Sequence, residues 1–541
     1  MNKSNSPSSS DMETEQSTYK VNINIDKDLK LALTTIKSTL GNCKDIIVRE
    51  FVLGEQGKQS LAVIYVDGLV NQTLIQDFIL KTLMIDIRAT SIDDSSILNF
   101  KQKEIIEKFS LAVSELNEVK TYGDIYNSIL SGDTVILLNG WDCGFSVGSK
   151  GWDKRAVEEP SSQTTVRGPK EGFTETLRTN TALIRRRIKD PNLRIDHMQV
   201  GQRTKTDIAI AYIHGLATDS IVKELKDRIN RIEVDSILES GYIEEFIQDE
   251  TYSPFPTIYN SERPDAICGG ILEGRIGIIV DGTPFVLLAP AIFVQFFQSP
   301  EDYYQRSDIS ILLRLLRVMS FLLALLVPSA YIAVTTFHQE MLPTTLLISL
   351  AAQREGVPFP AFVEALLMEI TFEIIREAGI RMPRAVGSAI SIVGALVLGQ
   401  AAVEAGIVSA TMVIVVSLTA ISSFVLPEFN LSISIRILRF MFMILAASFG
   451  LFGIILGLIV MITHLVNLRS FGVPYLTPMA PYIREDQKDA IIRLPHWALG
   501  TRPRLISQQD SKRNQTPAPE PEPNASESKS EKTTDKTKET E

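Results

Sequence analysis

The chain is poor in the side chains that carry most protein chemistry: 541 residues include 5 histidines, 3 cysteines and 3 tryptophans. His197, His214, His338, His464 and His496 are scattered, and no pair has metal-ligand spacing. Cys43, Cys143 and Cys268 stand far apart, a pattern of neither a disulfide framework nor a thiolate metal site, and one that suits a reducing compartment. No phosphate loop, nucleophile elbow or dinucleotide fingerprint occurs, and Gly269, Gly270, Gly274 and Gly277 belong to a hairpin pattern. No catalytic residue, metal or cofactor is therefore assigned, and an enzyme is not expected. The polar N-terminus has no apolar core of the kind a secretory signal needs, so the soluble part is expected in the cytoplasm. A net charge of −10 argues against nucleic acid as the main partner, because phosphate binding needs a basic field.

What the chain does have is unevenly spread. Apolar residues make up 45% of it, and the long apolar runs lie between about Ile309 and Leu468. Residues 1–20 and 507–541 are polar, and burial there cannot offset the entropy of ordering, so both are expected to be disordered.

The region before the apolar runs repeats itself. "GEQGKQSLAVIYVDGLVNQTLI" begins at Gly54 and "GQRTKTDIAIAYIHGLATDSIV" at Gly201, 147 residues later and without a gap. "IYNSILSGDTVILLNG" (Ile125–Gly140) likewise matches "ICGGILEGRIGIIVDG" (Ile267–Gly282) at an offset of 142. Asn139-Gly140 and Asp281-Gly282 are hairpin signals. The reading is two tandem, related α/β subdomains, 21–150 and 194–305, joined by a helical segment, 151–193. In that segment Val166–Arg194 gathers 8 basic residues against 3 acidic ones. Pro169 and Pro191 bracket a predicted helix over Glu171–Lys189. Phe173, Leu177, Ile184 and Ile188 make its buried stripe. Arg185, Arg186 and Arg187 are expected to face out of that contact, as a candidate interface to acidic surfaces of a neighbouring subunit. Anionic lipid and plain solvent are the rival partners.

Residues 306–470 read as an all-α polytopic transmembrane domain, since a bilayer core takes about 20 apolar residues per helix. Four spans are expected: Val318–Phe337, Val386–Ala405, Ile407–Leu426 and Phe440–Leu465. Leu346–Leu350 is too short to cross, and a helix over Phe362–Ala378 is read as re-entrant or interfacial. With four crossings, Arg306, Arg314 and Arg317 before the spans and Arg469, Arg484, Lys488 and Arg493 after them suit both soluble ends in the cytoplasm, but Arg376, Arg381 and Arg384 would then sit outside; a fifth crossing, with the C-terminus outside, is the alternative. Segment 471–506 then follows as a cytoplasmic extension. The second span has a face of small residues. Close helix packing accounts for that face; a path for ions is the functional alternative, lined by Ser388, Ser391, Ala395 and Gln400, with Glu404 favouring cations. Glu369 and Glu373 share a helical face and are candidate intramembrane carboxylates. Pairs Glu373–Arg376 and Glu377–Arg381 are also at helical spacing.

Three long segments resemble one known family. "EEPSSQTTVRGPKEGFTETLRTNTALIRRRIKDPNL" (Glu158–Leu193), "DGTPFVLLAPAIFVQFFQSPEDYY" (Asp281–Tyr304) and "PRAVGSAISIVGALVLGQAAVEAGIVS" (Pro383–Ser409) resemble the A subunit of GerA-type spore germination receptors, over about Ile46–Ile483. The resemblance implies a multi-pass protein of the bacterial spore inner membrane, its soluble region facing the spore core. It implies a permease-like B subunit and a lipoprotein C subunit as partners. It also implies a homo-oligomer that passes monovalent cations when nutrients are sensed, with nutrient bound mainly by the B subunit. A secondary transporter subunit, a non-conducting assembly scaffold and a non-receptor paralogue are the rival readings.

Overall fold

The computed structural model describes residues 23–41, 43–53, 59–76, 116–151, 159–160, 163, 165–381, 399–507, 510–514 and 516–518. The first part contains α1 (Leu29–Leu40), β1 (Ile46–Leu53), β2 (Gln59–Val66), β3 (Leu116–Val119), α2 (Tyr122–Leu130), β4 (Thr134–Leu138) and β5 (Gly144–Val147). The second contains α3 (Leu177–Arg187), β6 (Leu193–Val200), β7 (Thr206–Ile213), α4 (Asp219–Asn230), α5 (Ser240–Ile247), β8 (Tyr259–Ser261), α6 (Pro264–Leu272), β9 (Ile276–Val280) and β10 (Val286–Ala289). Each forms one five-stranded sheet, ordered β1-β2-β4-β5-β3 and β6-β7-β9-β10-β8. The two orders are the same strand for strand. Every pairing in both is antiparallel, so these are antiparallel sheets with helices rather than parallel α/β units.

The sequence offsets reappear as register. Leu61 to Ile64 face Leu138 to Val135, and Ile208 to Ala211 face Val280 to Gly277. Side chains alternate across a strand, and both central strands bury both faces. Leu61, Val63 and Tyr65 enter one apolar cluster, while Ala62, Ile64 and Val66 enter another. Ile208 and Ile210 likewise part company from Ala209, Ala211 and Ile213.

The two glycine turns are longer than two residues and do a second job. Asn139 Oδ1 accepts from the Leu29 amide at 3.1 Å, and Asp281 Oδ1 accepts from the Leu177 amide at 2.9 Å. The amides of Gly140 and Gly282 donate to the carbonyls of Lys27 and Glu175, at 2.8 and 2.7 Å. Both glycines have φ near +90°, where a side chain would be strained. Equivalent turns thus hold the starts of α1 and α3. The arginine-rich helix is therefore the opening helix of the second copy, not a connector outside it, and it spans Leu177–Arg187 rather than Glu171–Lys189.

The C-terminal half holds α7 (Glu301–Tyr304), α8 (Ser307–Thr336), α9 (Thr344–Arg354), α10 (Ala361–Arg381), α11 (Ala410–Phe424) and α12 (Phe429–Asn467). Helices α8 and α12 are long and apolar enough to cross a membrane. Helix α11 has 15 residues, short of the expected span. The expected second span lies outside the described residues up to 398; residues 399–404 are helical.

Helix α12 departs most from expectation. Its 39 residues would reach about 58 Å if straight. Instead Gly450 takes φ 61° and ψ −142°, and the chain reverses. A Cβ on Gly453 would sit 2.3 Å from the Leu445 carbonyl oxygen, and one on Gly457 would sit 2.8 Å from the Phe442 ring. Contacts so far apart in sequence require two antiparallel arms. Both ends meet the sheet pair: Gln163 Nε2 donates to Glu428 at 3.1 Å, and His464 Nε2 lies 2.8 Å from Ser253 Oγ. Phe440–Leu465, expected as one crossing, therefore contains the tip of a helical hairpin at Gly450.

The segment after α12 folds back on the second sheet. Phe471, Val473 and Ile506 join its core, and Ser507, expected to open the disordered tail, is buried at 1% exposure. Residues beyond 518 lie outside the described ones.

Candidate functional site

The sheet pair and the helical half meet at a buried charged junction. Asp302 at the middle of α7 is 0% exposed and lies between two arginines of α8. Arg314 Nε donates to Asp302 Oδ2 at 3.0 Å, and Arg317 Nη1 donates to its two oxygens at 2.9 and 2.7 Å. Arg314 Nη1 reaches on to Asp489 Oδ1 at 3.0 Å and to the carbonyls of Asp489 and Ala490 at 2.9 Å. The Tyr303 hydroxyl also donates to Asp489, at 3.0 Å, and Gln298 Nε2 donates to its carbonyl at 2.6 Å. Three distant stretches thus share one cluster: the end of the second sheet domain, the first long apolar helix and the C-terminal strap. Beside it an aromatic wedge, Phe293 and Phe297, packs on Phe321 with ring centroids 5.9 and 5.4 Å apart. Isolated buried charges are costly, so this cluster holds only while all its members are present.

A second charged cluster lies within the helical half. Glu369 and Glu373 of α10 face Arg436 and Arg439 on the first arm of α12. Arg439 Nη2 lies 3.1 Å from each carboxylate, and Arg436 Nη1 lies 2.9 Å from Glu373. Glu369 is 0% exposed. At these positions the acids turn into the helical packing, against the first arm of α12. The Glu377–Arg381 pair forms as expected, while Glu373 takes the α12 arginines instead of Arg376. Gln400 and Glu404 hydrogen-bond each other at 2.9 Å and are exposed, whereas Ser388, Ser391 and Ala395 lie outside the described residues.

The arginine triplet also finds intrachain partners. Arg185 is 0% exposed and forms a two-point pair with Asp45 of the first copy, at 2.7 and 3.2 Å. It therefore does not face out of the helix contact; its geometry locks the two sheet copies together. Arg186 and Arg187 both donate to Glu171. We expect Arg185→Met to cost about 3–5 kcal/mol by stranding a buried Asp45. Arg186→Gln should cost about 1 kcal/mol or less, since its pair is partly solvated. Denaturant melts of the detergent-solubilised chain check both values, and equal effects would refute the distinction.

Glu428, just before α12, is buried against Tyr259 of the second sheet. Burial pushes its carboxyl up to about 8, against the opposing hydrogen bond from Tyr259. The folded chain thus keeps a proton that the unfolded chain releases in the ordinary carboxylate range. Stability is expected to fall as pH rises from about 5 to about 8, because over that window the folded state binds more protons. Glu428→Gln should flatten the dependence of melting temperature on pH; an unchanged slope would assign it to another group.

Among the described residues no group of three or more His, Cys, Asp or Glu is placed to hold a metal ion. Sequence reasoning took Arg314 and Arg317 as flanking charge and passed over Asp302 and Asp489. The available signal was an acid in "SPEDYY" followed by arginines that share a helical face, next to an apolar run.

Comparison with known proteins places this geometry among relatives. The family described as Bacillus/Clostridium GerA spore germination protein matches residues 34–505. The chain is 50% identical to "Spore germination protein KA" of Bacillus subtilis (strain 168), over 92% of this chain and 90% of that one. It is 45% identical to "Uncharacterized membrane protein YfkQ" of the same organism, over 90% and 93%. A crystal structure of the N-terminal domain of the A subunit of the Bacillus megaterium spore germinant receptor GerK3 is 40% identical. It covers 51% of this chain and 99% of its own, with a TM-score of 0.40.

Proposed function

Because the chain belongs to the Bacillus/Clostridium GerA spore germination protein family, we propose that it is the A-type subunit of a nutrient-sensing receptor in the spore inner membrane. The sheet pair faces the spore core and meets the permease-like and lipoprotein partners. The helical half crosses the lipid, assembles with further copies and passes monovalent cations once nutrient is bound. The observation that carries this reading is the Asp302–Arg314–Asp489 junction. It is a buried polar link between the sheet pair and the first long apolar helix, through which a movement of the sheets would act on the helices.

The test of conduction targets the small-faced segment. The three native cysteines are buried, so background labelling is low. Ser388→Cys or Ala395→Cys spores treated with a thiol reagent should lose nutrient-triggered cation release. Unchanged release by both would end the pore assignment for that segment. The neutralisation of Glu369 and Glu373 by Arg436 and Arg439 favours a structural role for those two acids, and it is the observation that keeps the scaffold reading in play. Absence of conductance in the reconstituted receptor with nutrient present would select the scaffold.

A further inference from the structure

A cleft beside the junction has a buried donor without an acceptor. It occupies about 200 Å³ between α6, the stretch from Gln295 to Tyr304 and the C-terminal strap. Ala266 and Gly269 of α6 line its floor, and a Cβ on Gly269 would meet nothing within 4 Å. Arg275 lies in its wall, is 2% exposed, and has an Nε without a partner. Its Nη1 is held by Gln295. Its carboxylate partner, Glu273, stands 3.4 Å away and is shared with Arg513 at 3.5 Å. The neighbouring pairs are tighter: Arg263–Asp265 is 2.7 Å and Arg314–Asp302 is 3.0 Å. Asp265 is fully engaged by Arg263 and by the Tyr304 hydroxyl. Two guanidinium groups therefore share the Glu273 carboxylate, at 3.4 and 3.5 Å. Burial pulls the Arg275 guanidinium below its ordinary value, with Glu273 opposing only in part.

We propose that this cleft is a binding site for a small oxyanion, a carboxylate or a phosphate, held by Arg275 and Arg513. Guanidinium groups prefer planar oxygen pairs, and such bonds strengthen when shielded from water. The cleft is smaller than the roughly 300–1,000 Å³ of sites for drug-sized ligands, which suits an ion of a few heavy atoms and excludes a nucleotide. Gln298 and Tyr303 line the same cleft and hold Asp489, so an occupant would touch the residues that anchor Arg314. The site stands whether or not the chain conducts ions.

The test is titration of the detergent-solubilised full chain with sodium acetate and with inorganic phosphate, at ionic strength held constant with chloride. Saturable binding, read by calorimetry and by a rise in melting temperature, is expected for one anion at least, and the preferred one names the class. Arg513→Gln should weaken it about tenfold or more, the loss of one charged hydrogen bond. Gly269→Leu gives a second variant: Gly269 lines the cleft and a Cβ there meets nothing within 4 Å, so the added side chain is expected to occupy the cleft and abolish binding, with folding checked by melting temperature. Absence of saturation by either anion would overturn the site. So would wild-type affinity in both variants.

Discussion

Asp302→Ala is expected to unfold the junction and remove the protein from the membrane. The substitution leaves Arg314 and Arg317 buried without their shared carboxylate, and stranding a buried charge costs about 3–5 kcal/mol. Arg314 retains Asp489 as a partner, so the loss concentrates on Arg317, whose remaining bond is to the Phe297 carbonyl at 3.0 Å. Asp302→Asn keeps the shape and some hydrogen bonding, and should fall between wild type and alanine. Thermal unfolding of the solubilised chain gives the ranking. Equal stability of the alanine and asparagine variants would show that charge is irrelevant at this position.

Gly453→Val and Gly450→Val should be at least as damaging, by a different route. At Gly453 the added Cβ meets a backbone oxygen at 2.3 Å, and the two arms of α12 must separate to admit it. At Gly450 the backbone lies in a region that suits glycine, and the Cβ would also stand 2.7 Å from the His338 ring. Strain of about 1–3 kcal/mol adds to about 1–3 kcal/mol of overpacking. Gly356→Ala is the control, with open space around its Cβ and no unusual φ. Membrane yield and melting temperature should fall for the first two variants and hold for the control. Tolerance of Gly453→Val would contradict the hairpin.

The sequence made the duplication readable because its landmarks are local. A Tyr-x-x-Gly-Leu strand end and a glycine turn repeat at nearly fixed offsets, and those offsets became strand register. Helix α1 was not recognised as the partner of α3. The two share no motif, and only Asn139 and Asp281, far off in sequence, reveal their equivalence. The hairpin in α12 was hidden because an apolar run looks alike whether it crosses once or turns back; Gly450, Gly453 and Gly457 were the only trace. Arg185 was misjudged because its partner Asp45 stands 140 residues away. Adjacent arginines on a helix point in different directions, so a charged triplet need not share one environment. The candidate carboxylates on α10 were found from helical spacing, but their partners on α12 could not be, since nothing local links the two helices.

The central claim is that the response of this subunit passes through the Arg314 junction. It is tested most directly by nutrient-triggered cation release from spores carrying Arg314→Lys, with the amount of protein matched to wild type by immunoblot. Lysine keeps the charge but cannot bridge Asp302 and Asp489 as a guanidinium does. The account expects the subunit to be present and cation release to be lost or strongly slowed. Release at the wild-type rate, at the wild-type protein level, would contradict it.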